Sequence, residues 1–147
     1  MNRVVGGSIE GGGDLVWGVH DSFVDYVRAV EGRIGVEAPA ALTADGRFRF
    51  PLVGVADGVA SFAGGVRFSA HGGALSLALE EIRIATAPNS ELATLSVKGT
   101  AATNSEGGRL AFAHLLPDGG AALSQDATVA FDFRYEAGTS LAPIERQ

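Results

Sequence analysis

The feature that most constrains this chain is a two-residue apolar alternation broken at short intervals by glycine clusters. Gly11-Gly12-Gly13, Gly64-Gly65, Gly72-Gly73, Gly107-Gly108 and Gly119-Gly120 each interrupt such a run. Between them Arg47-Phe48-Arg49-Phe50 and Val66-Arg67-Phe68-Ser69-Ala70 alternate cleanly. Leu75, Leu77 and Leu79 alternate with small residues, and Ile82 and Ile84 continue beyond an expected bulge at Glu80-Glu81. The segments 92–97, 110–116 and 127–135 complete the set. Side chains two apart share a face of a strand, and glycine supplies the turns. The pattern therefore predicts a mainly β fold of roughly eight to ten short strands, an antiparallel sandwich or barrel-like sheet. No βαβ rhythm and no internal repeat competes with it.

One segment departs from that period. Over Leu15–Val30, Val19, Phe23, Val27 and Val30 recur at helical spacing. This predicts a single short N-terminal helix. Asp21 and Ser22 lie near its start, Gly32 is its stop, and His20 sits at the helix start or on the surface. Ser22 and Tyr26 are four apart and share a face. Residues 1–13 read as a loose arm or an edge strand, and the tail after Gly138 as a short cover over the sheet.

Composition narrows the class. A chain of 147 residues with 46% hydrophobic and 19% charged residues can bury its own core, and no polar linker divides it, so residues 1–147 read as one domain. The net charge of -6 argues against a nucleic-acid partner and against an anionic membrane surface. With no cysteine, disulfides, thiolate metal sites and cysteine nucleophiles are excluded. No apolar run approaches the length of about 18 residues that marks a transmembrane helix. Met1–Gly7 has no apolar signal core. The expected location is cytoplasmic if Met1 begins the natural protein, and extracellular or cell-surface if a leader precedes it.

No dinucleotide fingerprint, P-loop or nucleophile elbow is present, no acid–base carboxylate pair can be picked out, and His20, His71 and His114 lack metal-ligand spacing. The chain is not expected to be an enzyme. Three segments remain. They are Trp17-Gly18-Val19-His20-Asp21-Ser22-Phe23-Val24-Asp25-Tyr26-Val27, Phe62 to Leu75 with Phe62-Ala63-Gly64-Gly65-Val66 and His71-Gly72-Gly73, and Phe131-Asp132-Phe133-Arg134-Tyr135 with Gly138 and Leu141-Ala142-Pro143. Each has a plain reading. Tyr26 is a packed tyrosine at the core edge, His71 a turn histidine, Tyr135 a core-facing strand residue in phase with Phe131 and Phe133, and Trp17 a packing anchor.

Taken together and in order, the three segments resemble the HtaA domain, a haem-binding module of actinobacterial haem-uptake proteins. The resemblance runs from about Leu15 to Pro143. It implies that Tyr26 is the axial ligand of ferric haem b and hence the metal-binding residue. It implies that His71 hydrogen-bonds that tyrosine, that Ser22 lies against the haem and can bond a propionate, and that Tyr135 is a second tyrosine near the pocket. Phe23, Val27, Phe68 and Phe133 are candidates for the apolar slot, each also a reasonable core residue; Arg28, Arg67 and Arg134 could serve the propionates, but the preferred reading of each is a solvated strand or helix face.

A phenol titrates near pH 10, so a phenolate ligand at neutral pH needs about 4 kcal/mol of help. A ferric ion and a histidine donor are the kinds of group that supply it. The implied role is haem uptake, carriage or transfer, with a haem donor or acceptor protein as partner. Stacking through an exposed haem face would give a homodimer. The competing reading is a β-sandwich interaction or adhesion module that takes no cofactor.

Overall fold

In the computed structural model, residues 13–86, 93–100, 107–131 and 135–147 are described. They form fourteen short strands and one α-helix. The strands are β1 (Leu15–Trp17), β2 (Arg33–Glu37), β3 (Ala41–Leu42), β4 (Phe48–Phe50), β5 (Leu52–Ala56), β6 (Val59–Phe62), β7 (Gly65–Ala70), β8 (Leu75–Glu80), β9 (Arg83–Thr86), β10 (Ala93–Lys98), β11 (Arg109–Leu115), β12 (Ala121–Leu123), β13 (Ser140–Leu141) and β14 (Ile144–Arg146). The helix, α1, spans Asp21–Ala29 between β1 and β2.

Three antiparallel sheets result, in the orders β14-β1-β4-β3, β13-β12-β11-β10-β9-β6-β5 and β2-β7-β8. None closes on itself, so the fold is a sandwich-like β protein and not a barrel. Strand alternation is visible in the burial. In β8, Leu75, Leu77 and Leu79 face inward while Ser76 is exposed. In β7, Val66, Phe68 and Ala70 share the inner face. In the long sheet Ile84, Leu95, Val97, Leu110, Phe112 and Leu123 do the same. Phe23, Phe48, Phe68, Phe112 and Phe131 meet largely edge to face, which joins the layers at the centre.

Several expectations are revised. The helix is shorter than Leu15–Val30, because Leu15, Val16 and Trp17 pair with Phe50, Arg49 and Phe48 on one side and with Arg146, Glu145 and Ile144 on the other. Sheet pairing overrides the local helical spacing. No bulge lies at Glu80-Glu81. Glu81 has φ 50° and ends β8, and the chain there leaves the three-stranded sheet for the seven-stranded one. The segment 127–135 is not a strand over its first half, since Thr128–Phe131 is a 3-10 turn. Residues 132–134 lie outside the described residues. The tail after Gly138 is no mere cover, because β13 extends the seven-stranded sheet and β14 flanks β1. The expected arm falls mostly on residues 1–12, outside those described. The strand count exceeds eight to ten because the chain changes sheets often, which cuts long apolar runs into short pairings.

Gly64 shows what the glycine punctuation does. It has φ +87°, and a Cβ there would lie 2.4 Å from the Ala40 backbone nitrogen. Only glycine lets β6 turn into β7 so close to that loop.

Candidate functional site

Helix α1 begins where His20 leaves extended backbone and its carbonyl accepts the first helical bond, from Val24 N at 3.0 Å. Its inner face carries Phe23, Val24 and Val27, all buried. Ser22 and Asp25 are exposed and Tyr26 is half-buried. The helix ends in a Schellman arrangement. Gly32 N donates to Val27 O at 2.7 Å and Glu31 N to Arg28 O at 3.1 Å, with Glu31 at φ 58°. The expected stop at Gly32 is therefore one residue off. Glu31 takes the left-handed turn, while Gly32 permits close packing, since a Cβ there would sit 2.5 Å from Ser69 O.

That packing carries Tyr26 to the end of β7. There the chain turns through His71-Gly72-Gly73, all at positive φ. His71 at φ 55° holds a conformation that ordinary side chains avoid. In it, His71 Nε2 lies 2.6 Å from Tyr26 Oη, with ring centroids 5.9 Å apart. A hydrogen bond joins two residues 45 positions apart. A would-be Cβ at Gly72 or Gly73 meets nothing within 4 Å, so the surface beside the pair is bare backbone. A recess of about 220 Å³ lies beside His71, between Gly32 and Ser69.

At the other end of α1 a second group forms. Val19, fully buried, has φ 66°, unusual for a β-branched residue, and turns the chain from β1 into the helix. His20 follows. It stands at the helix start, one of the two positions expected, and is 8% exposed, so the surface alternative is corrected. Its ring lies 4.4 Å from that of Tyr135 and 6.3 Å from that of Phe131. Its Nε2 is buried with no hydrogen-bond partner among the described residues. Burial pushes the His20 imidazole below its ordinary range, partly opposed by the Asp21 carboxylate. An unmet buried nitrogen of this kind costs about 1–3 kcal/mol. Tyr135 is half-buried and packs on Phe131 at 5.3 Å as well.

The structure thus brings Tyr26 and His71 together, with Ser22 one turn before Tyr26 on the same helix, and sets Tyr135 against His20. Phe23 is fully buried beneath the helix against Phe68 and Phe131, 5.3 and 4.8 Å away. Val27 and Phe68 are also fully buried. Phe133 and Arg134 lie outside the described residues. Arg67 is already engaged by Glu37 and Glu80, at 2.6 Å each. Arg28 follows Tyr26 by two positions and so points from another side of the helix. Trp17 is an anchor, its Nε1 donating to Ala142 O at 2.7 Å. The burial of His20 was not legible from spacing, because it comes from the turn at Val19 and from the distant Tyr135.

The donor set among the described residues is a phenol, an imidazole and a hydroxyl. It contains no cluster of three or more His, Asp or Glu suited to a metal ion. Within this set Tyr26 Oη, backed by His71 Nε2, is the group that could serve as an oxygen ligand.

The family profile described as Htaa matches residues 12–147. Three crystal structures from Corynebacterium glutamicum share the fold. The heme binding protein HtaB is 18% identical with a TM-score of 0.71, covering 92% of this chain and 91% of that one. The N-terminal domain of HtaA is 20% identical at 0.71, covering 92% and 94%. The C-terminal domain of HtaA is 24% identical at 0.68, covering 90% and 92%. No curated protein matches the chain.

Proposed function

The chain belongs to the HtaA family, and from that premise we propose that it binds ferric haem b through the Tyr26 phenolate, for carriage or transfer and not for catalysis. The observation that carries this reading is the 2.6 Å contact between Tyr26 Oη and His71 Nε2. Haem would supply the ferric centre, and Tyr26 would hold it through the phenolate oxygen. An anionic oxygen donor stabilises the ferric over the ferrous state, which suits holding oxidised haem. His71 donates to the phenolate oxygen and offsets the cost of ionising it. The tautomer with hydrogen on Nε2 is the one this requires.

Ser22 lies one turn before Tyr26 and offers a hydroxyl to a propionate. Tyr135 contributes a second phenol from the chain beyond the 3-10 turn. Phe23 supports α1 from beneath. Likenesses to a protein named for heme binding and to the two HtaA domains favour the same ligand. A haem donor or acceptor protein is the partner this role calls for.

The test is hemin added to the purified chain and to Tyr26→Ala. The wild type should develop a shifted Soret band, and the variant should lose most of it. A wild type without a shift, or a variant that binds equally well, overturns the assignment. The first result would favour an interaction module without cofactor.

A further inference from the structure

The seven-stranded sheet ends differently on its two sides. Its β13 edge is two residues long, while its β5 edge is the five-residue run Leu52-Val53-Gly54-Val55-Ala56, without a charge. An open strand edge is a template for another strand, and folded proteins blunt theirs with charge or brevity. The edges of the other two sheets follow that rule. β2 carries Arg33 and Glu37, β8 ends in Glu80, β14 carries Glu145 and Arg146, and β3 has two residues. Among the described edge strands β5 alone is both long and neutral, and it presents Val53 at 70% and Val55 at 38% exposure.

The rung that ends at Val55 shows what this edge lacks. Val55 pairs with Ala60, Ala60 with Ile84, and Ile84 with Leu95. Residues paired across strands point to the same face. Ala60, Ile84 and Leu95 are all buried, so Val55 faces the core side at a place where the core stops one strand short. The backbone is open at the same point. Phe62 N donates to Ile82 O and Thr86 N to Gly58 O, so every second residue from Gly58 through Ala60 to Phe62 turns its polar groups toward β9. Ala60 and Val55 therefore exchange no hydrogen bond, and the Val55 N–H and C=O point outward. The two-residue Asp57-Gly58 turn, both residues at positive φ, sets the hairpin in this register.

We propose that β5 is a self-association surface, pairing antiparallel with β5 of a second copy of this chain about a two-fold axis at Val55. The edge is its own complement. On the axis the two Val55 residues exchange both hydrogen bonds, and their side chains meet on the inner face, so each rung completes the other. No like charges are forced together. Asp57 of each copy falls opposite Val53 of the other, which leaves the two carboxylates four positions apart along the ladder, about 13 Å and beyond the screening length of physiological salt. Asp14, whose Oδ1 accepts from Leu52 N at 2.9 Å, is already paired with Arg49. Five residues a side make a small contact, below the roughly 1,200 Å² of a stable interface, so the association is weak and reversible. It uses neither Tyr26 nor His71 and needs no haem.

Sedimentation velocity on the chain without hemin, from micromolar to millimolar concentration, tests this. The wild type should move from one chain toward two, and more so in high salt, because each copy carries a net charge of -6. Val55→Lys sets two like charges against each other at the axis and should weaken association about ten-fold or more. Leu116→Lys removes another exposed apolar side chain, beyond the end of β11 and four strands from β5, and should associate as the wild type does. Tyr26→Ala should do the same, which separates this contact from any stacking of bound haem. In the wild type the Val55 amide should exchange more slowly as concentration rises, a readout that needs no variant to fold. A chain that stays single at millimolar concentration, a Val55→Lys chain that associates undiminished, or a Val55 amide indifferent to concentration overturns the proposal. So does an equal loss in Leu116→Lys, the mark of general apolar adhesion, or in Tyr26→Ala.

Discussion

His71 combines a strained backbone with a bond across the fold. Its φ of 55° costs a non-glycine residue about 1 kcal/mol. The side chain it presents meets Tyr26. His71→Gly should therefore keep or slightly raise thermal stability while hemin affinity falls about ten-fold or more, since hydrogen bonds to charged groups are worth about 1.5–3 kcal/mol. Scanning calorimetry beside a Soret titration checks the split; a parallel loss of both would make His71 a structural residue. Gly32 is the contrasting case. Its absent Cβ leaves room for Ser69 O and Val27 Cγ1, 2.5 and 2.8 Å from where that atom would be. Gly32→Ala should destabilise by about 1–3 kcal/mol in urea unfolding. The sequence marked Gly32 as a helix stop, and it is next to one. The spacing of Tyr26 and His71 could not foretell their contact, because the turn at Glu31 and the pairing of β2 with β7 decide it.

At the scale of elements, α1 was legible in its middle and not at its ends. Phe23 and Val27 face the core as their spacing required. Leu15, Val16 and Trp17 have the same local character, but each pairs with residues more than thirty positions away on both sides. Such partners are invisible to any short window. The strands β7 and β8 were readable because each buries one face, which forces strict alternation. The 3-10 turn Thr128–Phe131 was missed because its apolar residues also alternate. Helix α1 depends on its left-handed end, so Glu31→Gly should stabilise the chain by about 0.5–1 kcal/mol, the relief at φ 58° less the added freedom of the unfolded chain. A Tm below that of the wild type would contradict the Schellman assignment. Phe23 sits between Phe68 and Phe131, and Phe23→Ala should cost about 3–5 kcal/mol in equilibrium unfolding.

At the scale of the whole molecule, three open sheets share one core, and pH acts on it through His20. Burial lowers its folded titration below the ordinary value of 6.5. The unfolded chain then binds the proton more readily. The stability tied to neutral His20 is full above pH 6.5 and is lost as pH falls from there through the folded value. Melting from pH 7.5 to pH 5 should show the decline in the wild type and a shallower one in His20→Phe. Identical slopes would show that His20 is not buried as neutral imidazole. The pairing of Asp14 with Gln147, each donating its backbone N–H to the other's carbonyl, has a separate consequence. The path into the described fold and the path out of it run side by side, antiparallel, through β1 and β14. A loop in some unrelated host could be cut and this fold spliced into the gap without prying the host apart.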